Sequence, residues 1–345
     1  MKAFDLDSPQ RLRDGLASGR RLYELRDDGA GNPLWQAVTA GDPAPFAPPA
    51  RVPAVSAKSF FLAERETLYR FEPARAGQPA AFVACQPDVQ PQVLFGVHAC
   101  DLTAIAYMDR VFHADPHYQA RRAATLLVGF DCQHGCGDGF CSLVDAGPNV
   151  RHGCADLILV QRPNGWLLLS DSPAGDALCA GLGLAAATCD WQAWRREQQQ
   201  AVAAGQGDGR WLQRGIRALA EPVRLLPVLR ELTTRCFGCS GCSMVCPTCS
   251  CFAPRERASA DGNIQHERVW DSCLFEGFQR EGSGHNPMAA PELRLLRFWQ
   301  HKFGAGFYQQ AGRHGCVGCG RCDRVCPGSI GVRTVLGRGG ETCRE

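Results

Sequence analysis

No run of eighteen or more apolar residues occurs anywhere in the 345-residue chain, so a helical membrane span is not expected. Charge of one sign is missing as well. The 37 Lys and Arg residues are offset by 35 Asp and Glu, leaving a formal net charge of +2, and neither nucleic acid nor an anionic membrane surface is implied as a partner. The first residues, "MKAFDLDSPQRLRDGL", lack the apolar core of a signal peptide, which points to the cytoplasm. There is no P-loop. The G-x-G of "GLGLAAAT", starting at Gly181, lacks the third glycine and the clear preceding strand of a dinucleotide fingerprint, so it reads as a helix end, and no flavin or NAD site is expected in this chain.

Cysteine is what the chain has in abundance. Twenty of them in a cytosolic protein do not form a disulfide framework, because thiols there are kept reduced and because these cluster at the spacing thiolate ligands need. They belong to metal.

The 45% of apolar residues suffices for a real core, and the pattern predicts an α+β protein in two parts. An amino-terminal α/β domain, residues 1–225, contains a β-α-β unit, and an α-helical ferredoxin-type domain with two clusters, residues 226–345, follows it. "SPQRLRDGLASG" reads as a short helix, and "SAKSFFLAERETLYRF" as strand or helix. "AAFVAC", "PQVLFGVHAC" and "RAATLLVGFDC" read as strands, and "DLTAIAYMDRVF" as a helix with Asp101 as its N-cap and an apolar face of Leu102, Ile105, Met108 and Phe112. A right-handed crossover makes the two strands ending in Cys100 and Cys132 parallel. Their carboxyl ends then share one edge of the sheet, the usual place for a ligand, and the following loop brings Cys136 and Cys141 there. "ADLILVQRPNGWLLLS" predicts a hairpin about Pro163, Asn164 and Gly165.

Two runs dominate the carboxyl part: Cys236, Cys239, Cys242, Cys246 and Cys316, Cys319, Cys322, Cys326, each C-x-x-C-x-x-C-x-x-x-C-P. This is the spacing of two-cluster ferredoxins, in which the fourth cysteine of each run serves the other cluster. The expected sets are Cys236, Cys239, Cys242 with Cys326 for one 4Fe-4S cluster, and Cys316, Cys319, Cys322 with Cys246 for the other. Structural zinc is the competing reading, but zinc knuckles use separated pairs without a closing proline. The gap of about seventy residues between the runs holds helical sequence such as "ELRLLRFWQHKF", which favours a helical ferredoxin module over the compact β-α-β one.

The chain resembles the family of iron–sulfur subunits called β in cytosolic sulfhydrogenases and A in anaerobic sulfite reductases. The likeness rests on "CPTCSCF", "VWDSCLFEGF", "GSGHNP", "HKF", "CVGCGRCDRVCP", "FGVHACDLTAI" and "DPHYQARRAATLLVGFDC". It implies a non-catalytic electron-transfer subunit between a flavoprotein that handles NAD(P)H and a metal catalyst, which is nickel-iron hydrogenase in one assembly and sirohaem sulfite reductase in the other. The hydrogenase is favoured by the resemblance alone. Similar proteins carry a C-F-C triplet where this chain has Gly139, Phe140 and Cys141, with a cysteine at Cys136 instead.

Cys100, Cys132, Cys136 and Cys141 still offer four thiolates at one crevice, and a third 4Fe-4S cluster is expected there. Plain thiols, a site shared with Cys249, Cys251 or Cys273, and an open cluster acting on a sulfur substrate are the alternatives. His134 is a lesser candidate ligand. His285, His301 and Asp271 read as structural, and Cys343 stands alone.

Overall fold

The computed structural model describes residues 1–342, so Cys343 lies outside the described residues. In chain order the elements are β1 (Lys2–Leu6), α1 (Pro9–Ala17), β2 (Arg21–Asp27), β3 (Pro33–Val38), β4 (Arg65–Glu72), β5 (Ala81–Ala84), β6 (Gln92–His98), α2 (Ala99–Val111), α3 (Pro116–Ala123), β7 (Thr125–Phe130), β8 (Leu157–Arg162) and β9 (Gly165–Ser170). They continue with α4 (Pro173–Gly181), α5 (Trp191–Ala204), α6 (Arg210–Leu219), α7 (Pro222–Thr233), α8 (Gly241–Met244), β10 (Phe252–Ala258), β11 (Ile264–Trp270), α9 (Pro291–Phe303), α10 (Ala305–Ala311), α11 (Arg321–Val325) and α12 (Val332–Glu341). The fold is α+β with a carboxyl-terminal part rich in helix. Among the described residues no helix is long and apolar enough to cross a membrane.

Strands β6 and β7 are apolar without alternation because both of their faces are covered. They lie in the middle of a seven-stranded sheet, order β1-β9-β8-β7-β6-β2-β3, whose central strands β2, β6, β7 and β8 are parallel. The connection from β6 to β7 runs through α2 and α3, and Leu102, Ile105, Met108 and Phe112 of the α2 region are all buried in the core below. The Pro163 hairpin joins β8 to β9.

Two local expectations are corrected. The strand stops at His98 and α2 starts at Ala99, so Cys100 stands in the first turn of the helix rather than at a strand end. Asp101 is likewise inside that turn and is not the N-cap; its carboxylate is free for a partner far along the chain.

A second, four-stranded antiparallel sheet, order β10-β11-β4-β5, combines the hairpin that follows the first cysteine run with two strands from the amino half. The carboxyl region is therefore not helical throughout. Two further features cross the expected boundary near residue 225. Helix α12 packs on α6, and a second apolar cluster takes Val52, Ala104 and Phe140 together with Leu229, Leu295 and Val335.

Candidate iron–sulfur centres

The first run begins where α7 ends and turns through left-handed Gly238 and Ser240 into α8, which carries Cys242. The second run repeats this through left-handed Gly318 and Gly320 into α11, which carries Cys322. The two short helices α8 and α11 pack on each other. Packed in this way, the cysteine that follows each helix is delivered to the opposite loop.

Cys236, Cys239, Cys242 and Cys326 line one cavity, together with apolar groups including Leu295, Phe298 and Trp299. The chain returns Cys326 to this place by close backbone approach: a Cβ on Gly328 would stand 2.2 Å from the carbonyl oxygen of Arg235. Glycine is required there. Burial first, and then the charges of Cys326, Cys246, Cys236 and Cys239, push the Cys242 thiol up to about 12. Crowded thiols that oppose one another's ionisation fit a cationic guest, which reverses the sign of the interaction.

Cys316, Cys319, Cys322 and Cys246 form the second group. The Cys316 thiol is raised by burial and then by Cys319 and Cys246, and the Cys322 thiol by burial, Asp323, Cys316 and Cys319. Backbone amides point at the sulfurs: Gly318 N–H donates to Cys316 Sγ at 3.3 Å and Ile330 N–H to Cys326 Sγ at 3.4 Å. Such donors stabilise a thiolate and tune whatever it binds.

The four amino-half cysteines are also brought together. Burial and then Cys136 and Cys141 raise Cys132, while Cys100 is raised by burial, Asp101, Cys319 and Cys141. Gln206 Nε2 donates to Cys141 Sγ at 3.4 Å. Cys319 acts on both Cys100 and Cys136, so this third group adjoins the second. The loop bearing Cys136 and Cys141 is fastened there by the Phe140 N–H, which donates to the Gly318 carbonyl at 2.7 Å; a Cβ on Gly318 would stand 2.7 Å from Phe140. His134 is exposed on the same loop. Among the described residues no three Cys, His, Asp or Glu side chains gather tightly enough for one shared ion.

Cys249, Cys251 and Cys273 sit behind the second group. Cys249 is hydrogen-bonded to Cys246, and Cys251 to Cys273. The bond from Cys273 outweighs burial and draws Cys251 down to about 6. Lys302 is buried here and donates to Thr248 Oγ1 at 3.0 Å. Burial opposes its charge, but the nearby sulfurs of Cys246 and Cys249 outweigh that and hold the ammonium protonated. Lys58, also buried, donates to the Cys249 carbonyl at 3.3 Å and stands 3.8 Å over the Trp270 ring. Sequence reasoning missed both lysines; the only signal was Lys302 within "HKF", a stretch singled out for resemblance and not for charge.

His285 is exposed, and Asp271 accepts the neighbouring Ser272 N–H at 2.7 Å without capping a helix. His301 is partly buried against Phe307.

Residues 235–330 match the family model of the 4Fe-4S dicluster domain. A curated relative, sulfhydrogenase 2 subunit beta of Pyrococcus furiosus, is 28% identical over 251 residues, covering 71% of this chain and 72% of that one. No solved structure matches. The geometry, the dicluster match and this similarity agree: the chain is an iron–sulfur electron-transfer protein that resembles the β subunits of sulfhydrogenases.

Proposed function

We propose that the chain is a three-centre electron relay in a cytoplasmic oxidoreductase complex, placed between a flavoprotein that exchanges electrons with NAD(P)H and a catalytic subunit of nickel-iron hydrogenase type. Cys236, Cys239, Cys242 and Cys326 hold one 4Fe-4S cluster, Cys316, Cys319, Cys322 and Cys246 the second, and Cys100, Cys132, Cys136 and Cys141 the third. When bound, such clusters supply one-electron carriers at potentials anywhere between roughly −700 and +450 mV.

The observation that carries the reading is the exchange of fourth cysteines, with Cys326 in the cavity of the first run and Cys246 acting on Cys316 and Cys319. The reading also orders the centres. Cys242 and Cys246 flank the passage from first to second, and Cys319 faces Cys100 and Cys136 at the passage from second to third. Apolar Phe298 and Trp299 line the first centre, and Lys302 balances thiolate charge at the second.

Anaerobic affinity purification tests this reading. About twelve irons per chain support three clusters and about eight support two. A co-purifying nickel subunit supports the hydrogenase assembly, and a sirohaem subunit replaces it by the sulfite reductase one. A colourless preparation containing zinc overturns the iron–sulfur reading altogether.

A further inference from the structure

Between α2, the turn after Cys141 and the end of α10 lies a cavity of about 470 Å³ that the relay does not use. Its size is that of a small-molecule pocket. The guanidinium groups of Arg110, Arg151 and Arg313 line it against a single carboxylate, Asp145, and that carboxylate is already paired with Arg151. Arg110 and Arg313 have no carboxylate partner among the described residues. Arg110 donates to the Ala311 carbonyl at 2.6 Å, and Arg313 to the carbonyls of His314 at 3.2 Å and Val144 at 3.3 Å. Burial, and then the positive charge of Arg151, push the Arg313 guanidinium down, with Cys154 and Cys316 opposing only in part, so cations have been gathered here without a carboxylate to spare for them.

One polar atom of a lining residue strengthens the case. His314 Nδ1 is buried with no hydrogen-bond partner among the described residues, a condition that native structures seldom leave unanswered. The guanidinium fork matches the oxygens of phosphate and related anions in two-bond geometry, and the excess of two unpaired guanidinium groups calls for a doubly charged guest.

We propose that this cavity binds a small molecule through a multiply charged oxyanion, a phosphoryl group or a sulfur oxyanion, held by Arg110 and Arg313. The site adjoins the second and third cysteine groups in the chain, since Arg313 and His314 lead into Cys316 and Ser142 follows Cys141. It stands on side chains that hold no cluster, so it is separable from the relay.

The cluster-loaded full chain would be titrated by calorimetry with pyrophosphate and, separately, with sulfite at constant ionic strength. One saturable site per chain is expected for at least one of them; pyrophosphate alone identifies the phosphoryl source, sulfite alone the sulfur source, and both identify recognition by charge and shape. Arg313→Gln and Arg110→Gln should each weaken binding by about tenfold or more, the worth of a charge-assisted bond. Arg280→Gln, whose guanidinium pairs with Glu276 outside the cavity, should leave binding unchanged. Arg110 is exposed at the end of α2, so its variant keeps the test valid even if Arg313→Gln disturbs the adjoining loop. Failure of both anions to saturate, or undiminished affinity in the Arg110→Gln chain, overturns the proposal.

Discussion

Arg321 and Asp101, 220 residues apart, meet in a two-bond fork of 2.7 and 2.6 Å with each side chain only 1% exposed. Asp101 belongs to the first turn of α2, between Cys100 and the helix face that covers the sheet, and Arg321 lies between Cys319 and Cys322. The pair therefore clamps the amino-half thiols to the second ferredoxin loop, and Arg321 Nε adds a bond to the Pro53 carbonyl at 2.7 Å.

Breaking that pair from one side leaves a buried charge without compensation. Asp101→Asn should lower stability by about 3–5 kcal/mol. Denaturant unfolding under anaerobic conditions, followed by tryptophan fluorescence, measures it. A loss under 1 kcal/mol would mean that the fork contributes little beyond an exposed ion pair.

The legibility of this site in the sequence followed the range of its interactions. Short apolar runs exposed β6 and β7 and periodicity exposed α2, because their burial is written in neighbouring residues, and the ferredoxin spacing exposed the two loops because each wraps its thiols locally. The role of Asp101 was not legible. N-cap preference is a local rule, and the buried contact with Arg321 depends on a partner that only the tertiary fold supplies. The same holds for Lys58 and Lys302, which look like surface lysines until they meet the segment from Met244 to Cys249, and for the β10–β11 hairpin, whose exposed polar residues gave no strong strand signal. Cys136, displaced from the expected triplet, was readable as a candidate because the loop returns it to Cys132 and Cys141.

His301 gives the stability a pH dependence. Burial, then the charges of Arg297 and Lys302, draw its imidazole down to about 4, and its Nε2 is buried without a hydrogen-bond partner among the described residues. The unfolded chain thus binds a proton that the folded one refuses. This contribution to stability should fall as the pH drops from about 6.5 toward 4 and level off below that, with the slope set by the excess protons of the unfolded state. In His301→Asn the slope over this interval should be shallower. Thermal unfolding across the pH series would show it, and parallel profiles for the two chains would exclude the imidazole as the cause.

Lys302 should raise the reduction potential of the centre proposed to use Cys246. A buried ammonium beside the thiolate favours the more negative, reduced form, and its hydrogen bond to Thr248 fixes it in place. Lys302→Met keeps the stem and removes the charge. The potential of that cluster should become more negative by on the order of 60 mV, a tenfold change for a one-electron couple. Potentiometric titration with EPR detection reads the shift, and an unchanged potential with unchanged iron content would confine Lys302 to packing.

The exchange of fourth cysteines separates two arrangements that an iron count cannot distinguish. If each run kept its own fourth cysteine, Cys326→Ala would disturb the loop of Cys316, Cys319 and Cys322. In the proposed arrangement it opens the cavity of Cys236, Cys239 and Cys242 instead, and those three thiols become alkylated while the second run stays protected. Cys246→Ala should give the mirror result, freeing Cys316, Cys319 and Cys322. Brief anaerobic treatment with iodoacetamide followed by peptide mass mapping reads out both variants. The reversed pattern in either one would assign each cluster to a single run, and the contact between α8 and α11 would then have no part in ligand delivery.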